Sequence, residues 1–163
     1  MTFQVQFAKE NQKFSAAHFT LFSDGEVERL HGHNYQVSVT LHGSGLTDGL
    51  LFPFHEVKPQ LKAFCDAWDE RILLPTQSKW VRVESKDKQV EIHLKTDKHN
   101  KFYSFPLEDV VLLPIDNVSC ENLVAHFAQL LAEWVLHQAL PVSRITVSIS
   151  ESLGQTVSYQ VDL

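Results

Sequence analysis

The chain has 163 residues, 44% hydrophobic and 21% charged, which suits one packed domain and excludes a disordered segment. Its formal charge of −6 excludes a surface built to hold nucleic-acid phosphates, which needs clustered Lys and Arg. Two distant cysteines make no disulfide framework, the N-terminus lacks a leader-like apolar core, and no apolar run approaches the ~18 residues of a membrane span, so a cytoplasmic location is expected.

Phe3, Val5 and Phe7 alternate with glutamines and predict a first strand. KFSAAH (13–18) predicts a second, with Phe14, Ala16 and His18 on one face, and the polar stretch 21–29 with its Asp24-Gly25 pair reads as a loop. Alternation returns over 31–42, where Tyr35, Val37, Val39 and Leu41 share a face. A helix is predicted from the spacing of Phe54, Val57, Leu61, Phe64, Cys65 and Trp68, with Pro59 fitting only a first turn and ILLPT closing the helix. Short strands follow at 80–84, 89–94 and 102–105, within a region (78–104) that has the character of an insertion. A second helix spans about 119–138, capped by Asn117 or Ser119, and the strands 144–151 and 155–161 finish the chain. Strands and helices are segregated and joined by tight turns, so the fold class is α+β with an antiparallel sheet, in a single domain over 1–163.

Nine histidines give the chain its chemical character. In a strand, residues i and i+2 point the same way, so His31 and His33 project together, ~7 Å apart along the backbone. His18 ends the preceding strand, and an antiparallel neighbour can deliver it to the same point. Three imidazoles with a fourth position open make a catalytic zinc arrangement, able to polarise an oxygen or acidify a bound water. The alternative is a pair of solvated histidines at a strand end. Rival HxH metal signatures fit less well, since no Asp-His follows the pair and no glutamate lies between His33 and Leu50. The other six histidines (His42, His55, His93, His99, His126 and His137) read as surface residues.

Four acids are also notable. Glu151 shares parity with Ile145, Val147 and Ile149, so its carboxylate faces the apolar side at a strand end, where it needs donors. A cyclic guanidine-amide such as a pterin ring offers paired N–H groups of that kind; a bulged or frayed strand is the plainer explanation. Asp69 and Glu70 close the first helix, where the dipole disfavours anions, and Glu28 precedes His31 by three residues as a candidate base. Glu121 sits in the first turn of the second helix, where the dipole alone accounts for it.

The stretches FSAAH, LHGHNYQVSVTL, GLLFPFHEVK, SCENLV and SISES occur in the order seen in the 6-pyruvoyl-tetrahydropterin synthase and 6-carboxytetrahydropterin synthase family, which the chain resembles over most of its length. The resemblance implies a tunnelling fold, an antiparallel sheet with two helices on one face, and subunits joined edge to edge in trimers that form a β-barrel and stack as hexamers. It implies zinc on His18, His31 and His33, a pterin held by Glu151, and a pocket lined by Ser119, Cys120 and Glu121. Typical members carry a basic cysteine in the loop before HGHNY, and this loop has none. A subgroup resembling the malaria-parasite enzymes places a glutamate three residues before HGH, where Glu28 stands here; such enzymes make 6-hydroxymethyl-dihydropterin. The family's Asp-His pair reads Asp69-Glu70, so the relay histidine is missing. The reading is a zinc-dependent lyase acting on dihydroneopterin triphosphate or a close relative, with Glu28 as base and Asp69 and Glu70 as relay groups. A pterin-binding protein of the same fold with altered catalysis is the alternative.

Overall fold

The computed structural model describes residues 2–163. Seven strands form the main sheet: β1 (Thr2–Phe7), β2 (Lys13–His18), β3 (His31–Ser44), β4 (Arg71–Pro75), β8 (Val110–Leu113), β9 (Val142–Ser152) and β10 (Gln155–Asp162). Their order is β10-β9-β3-β2-β4-β8, with β1 also paired to β3. The fourteen-residue β3 is the spine: β9 runs along one side, while β1 and β2 share the other.

Helix α1 (Phe54–Asp66) and helix α2 (Cys120–His137) carry the apolar stripes that meet this sheet. Val57, Leu61 and Cys65 of α1, with Leu123, Phe127 and Leu131 of α2, join Tyr35, Val37, Val39, Leu41, Ile145, Val147 and Ile149 in one core. Ser119 caps α2, its hydroxyl accepting from the Asn122 amide at 3.3 Å, and Glu121 occupies the first turn as expected. Pro59 lies past the first turn of α1, so that helix forgoes one backbone hydrogen bond. No helix among the described residues is long and apolar enough to cross a membrane.

Two expectations need correction. Residues 71–75 are not the end of a helix but strand β4, which pairs in parallel with both β2 and β8, so the sheet is antiparallel only from β2 to β10. Leu73 and Leu74 are both fully buried, one in the main core and one in a second cluster, so the strand has no polar face to betray its period. Glu70, at φ 55°, turns the chain from α1 into this strand.

Between the parallel strands β4 and β8, where a crossover helix is usual, the chain builds a separate three-stranded sheet from β5 (Val81–Lys86), β6 (Gln89–Lys95) and β7 (Asn100–Pro106). Val81, Val90, Ile92 and Leu94 bury against Phe19, Leu21, Val27 and Leu74. The small sheet therefore packs on the segment joining β2 to β3, and that segment carries Glu28.

Candidate active site

Pairing of β2 with β3 sets His18 opposite His31 and Ala16 opposite His33. All three imidazoles emerge on the helix-bearing face, where the strands run past the end of the core. One ligand nitrogen from each lies within 4.8 Å of the others, and the ring centroids are 4.8 to 5.3 Å apart. Gly32 between them relieves a tight contact, since a Cβ there would stand 3.3 Å from the Ala16 carbonyl oxygen.

The rings are held from behind by main-chain carbonyls. His18 Nδ1–H donates to Val118 O at 2.7 Å, and His31 Nδ1–H donates to Arg29 O at 2.7 Å. Each bond fixes a tautomer that leaves Nε2 with a free lone pair aimed at the centre of the trio, which is how metal-binding histidines are commonly oriented. His18 is 1% exposed, and its Nε2 has no hydrogen-bond partner among the described residues. Burial holds the His18 pKa below its usual value, which the Val118 carbonyl opposes. A buried, neutral imidazole with an unused lone pair, beside two more, is a donor set that fits a zinc-type cation.

Glu151 closes the fourth side. Its Oε1 lies 3.4 Å from His18 Nε2 and 3.5 Å from His33 Nε2, and accepts from the Tyr35 hydroxyl at 3.2 Å. Parity with Ile149 aims it inward, and a bulge leaves it unpaired: Gln155 pairs with Ser152 and Thr156 with Ser150, so no described residue lies opposite Glu151 across the strand. Burial first, and then the Glu151 charge, keep the Tyr35 phenol protonated as a fixed donor.

A cavity of about 450 Å³ opens beside the histidines, within the range of small-molecule sites. Glu28, Cys120, Glu121 and Glu151 line it together with Phe22 and Val157. The Glu28 carboxylate reaches to 4.0 Å from His31 Nε2 and is 38% exposed. Ser119 also borders the cavity, its hydroxyl already used as the helix cap. Cys120 is no substitute for an activated cysteine: burial and the carboxylates of Glu151 and Glu121 push its thiol up to about 11.

Asp69 and Glu70 stand apart. α1 ends at Asp66, so both lie in the turn beyond it, where Asp69 Oδ1 accepts from the Ser15 amide at 2.7 Å. They belong to the opposite edge of β2, and Glu70 borders a separate hollow with Ser15, Ala17 and Gly32 that reaches the histidine site only through His33. The alternation of β3 marks Tyr35 only as core, although a tyrosine buried this fully needs a hydroxyl partner, and its parity with His33 aims it at the site. Among the described residues one other trio, Glu84, Glu91 and His93, has ligand atoms equally close, but it lies on open strands and Arg82 already pairs with Glu84 at 3.0 Å.

The comparisons with known proteins agree with this geometry. The family model described as 6-pyruvoyl tetrahydropterin synthase matches residues 8–162. A Methanocaldococcus jannaschii protein assigned as a 6-carboxy-5,6,7,8-tetrahydropterin synthase is 35% identical over 150 residues, which cover 91% of this chain and 89% of that protein. The crystal structure of the Plasmodium vivax 6-pyruvoyl tetrahydropterin synthase superposes with a TM-score of 0.89 at 28% identity, covering 100% of this chain and 99% of that one. The Plasmodium falciparum protein of the same name gives 0.88 at 29% identity, over 99% of both chains. Two further P. vivax structures carry alanine or cysteine in place of a glutamate described there as a catalytic residue. With a matching family model over nearly its whole length, a tunnelling-type fold and three converging histidines, the chain belongs to the 6-pyruvoyl tetrahydropterin synthase family and is a lyase of that type.

Proposed function

We propose that this protein is a zinc-dependent lyase that shortens the C6 side chain of 7,8-dihydroneopterin triphosphate or a close relative. The product carries a 6-carboxy, 6-pyruvoyl or 6-hydroxymethyl group and feeds queuosine, tetrahydropterin or folate synthesis in the cytoplasm. The observation that carries this reading is the pair of Nδ1–H to carbonyl bonds, the one at His18 buried, which leave the Nε2 atoms of His18 and His31 free beside a cavity lined by Glu28. His18, His31 and His33 would hold the zinc, which supplies polarisation of the side-chain oxygens when bound.

Glu28 then acts as the base that takes a proton from the substrate side chain, reaching over His31 from the cavity rim. The catalytic glutamate of the P. vivax relative supports that role for a carboxylate. Glu151, fixed by Tyr35, accepts from the N–H groups of the pterin ring, and Glu121 with Ser119 and Cys120 forms the wall beside it. Asp69 and Glu70, in the turn beyond α1 and outside the cavity lined by Glu28, are the relay groups of this reading. The open edge strand β10 suits the edge-to-edge joining of subunits into trimers and hexamers. Residues 78–104 form an insertion within a single synthase domain.

The test is incubation of zinc-loaded protein with dihydroneopterin triphosphate, resolving products by chromatography and mass. A pterin with a shortened side chain is expected, and its mass names the branch. Unchanged substrate retained on the protein would overturn lyase action on this substrate and leave a binding module.

A further inference from the structure

Residues 20–28 form a small hairpin whose tip is held by the three-stranded sheet. Its internal bonds run from Phe22 N to Glu26 O (2.9 Å), Gly25 N to Phe22 O (3.0 Å) and Glu28 N to Thr20 O (3.0 Å). One stem is fixed to the main body, because the Asn117 side chain accepts from Leu21 N and donates to Leu21 O, both at 3.0 Å. The other stem carries Glu28; its amide bond to Thr20 O and the buried Val27 side chain hold it from the stem side, and the tip holds it from the other end. There, the Thr96 hydroxyl donates to Gly25 O at 2.7 Å while accepting from the amides of Lys98 (3.2 Å) and His99 (3.0 Å). Gly25 is buried at φ 85°, so the tip conformation depends on a residue without a side chain and on the contact that covers it. Lys98 also reaches Asp24 and Glu26 at 3.1 Å, and His99 Nε2 meets Glu26 at 2.9 Å. Phe19 stacks on Tyr103 at 5.9 Å, and Lys101 Nζ stands 3.5 Å from Glu28 O.

The geometry points to Thr96, in the turn between β6 and β7, as a positioning residue for the reaction: it locks the hairpin tip so that the Glu28 carboxylate is presented beside His31. This rests on the reading of Glu28 as the base. Among these contacts the threonine has the most leverage, because one half-buried hydroxyl serves three main-chain groups, whereas the Lys98 and His99 pairs lie near solvent. The small sheet is then more than a replacement for a crossover helix. It holds the part of the site that the main sheet does not reach.

The experiment compares Thr96→Val, which removes the hydroxyl and keeps the shape, with Thr96→Ser, which restores it. Amide exchange in the full-length protein should rise about five- to tenfold at residues 22–28 in Thr96→Val and stay unchanged in α2 and β9. With dihydroneopterin triphosphate, kcat should fall about 10- to 100-fold with KM nearly constant, since a displaced base is a transition-state loss. Thr96→Ser should recover both, and Thr96→Val should cost nothing further in a Glu28→Gln background. Unchanged exchange and kcat in Thr96→Val would overturn the inference, as would an equal loss of kcat in the Glu28→Gln background. The base reading itself fails differently: Glu28→Gln would then keep its kcat. In that event hairpin exchange alone decides, with lost protection upholding the anchor and unchanged protection removing it.

Discussion

The two halves of the proposed site are built by different means. The histidine floor is made by sheet register: β2 and β3 place the three rings, backbone carbonyls turn two of them, and the parity of β9 aims Glu151 at them from a bulge. The Glu28 side is made by a loop whose shape depends on side-chain bonds to a second sheet. A floor held by a strand ladder keeps its geometry as long as the fold persists. A rim held by side-chain bonds from Thr96 and Asn117, a small apolar cluster and a few exposed ion pairs can shift without unfolding the main sheet. The difference predicts that substitutions in the floor act on metal and substrate binding, and those in the rim act on turnover.

Removing a floor ligand should have the largest effect. His31→Ala takes one of three nitrogen donors, so zinc per chain, measured by metal analysis, should fall from about one to a small fraction, with activity lost. Altering only the groups behind metal ligands costs about 10- to 100-fold in affinity, and a direct ligand costs more. In the parent protein, zinc at a hundred times its Kd should add roughly 2.7 kcal/mol of stability, seen as a melting shift that a chelator reverses. A His31→Ala protein that still held stoichiometric zinc would break the comparison.

Glu28→Ala should leave zinc content and melting temperature unchanged while lowering kcat by about 10²- to 10⁴-fold, the range for a lost general base. A rise in KM with kcat preserved would move Glu28 from base to binding group.

How far the sequence shows these two halves follows from the same distinction. Period-two alternation places His31 and His33 on one face, and parity alone predicts the inward aim of Glu151, because strands impose those directions. The loop has no period, so nothing in residues 19–30 reveals that Thr96 and Asn117, about 70 and 90 residues away, determine where Glu28 sits. Strand β4 is hidden for a related reason: buried on both sides, Ile72, Leu73 and Leu74 lack the alternation by which the other strands announce themselves. The resemblance of LHGHNY and its companion stretches carries family and fold, and the cap at Ser119 follows from residue type, while the carbonyl partners of His18 and His31 and the bond from Tyr35 to Glu151 depend on tertiary packing that no local pattern shows.

Core truncations test whether the rim is as separable as it looks. Ile92→Ala and Ile149→Ala each remove a fully buried isoleucine, one from the small sheet's cluster and one from the main core. Each should cost about 2–5 kcal/mol in denaturant melts. At temperatures where both variants remain folded, Ile92→Ala should lose more kcat than zinc, because its cluster supports Phe19, Leu21 and Val27 of the Glu28 loop. Ile149→Ala, two residues from Glu151 on β9, should weaken substrate binding instead. Equal kinetic profiles for the two would mean that the sheets act as one body.

The smallest effect is expected at the most conspicuous charge cluster. Lys98 bridges Asp24 and Glu26; the Glu26 amide and then Lys98 hold the Asp24 carboxyl below its usual range, and His99 and then Lys98 do so for Glu26, but all three groups are open to water. Salt and hydration screen such pairs, and long side chains lose entropy in making them. Lys98→Ala should therefore leave the melting temperature unchanged and lower kcat less than threefold, since the Thr96 hydroxyl still holds Gly25. The Lys98 backbone amide that bonds to Thr96 survives the substitution. Were Lys98→Ala to match Thr96→Val in kcat and in exchange at residues 22–28, the rim would be held by charge, and its turnover would then fall with rising salt while the histidine floor kept its metal.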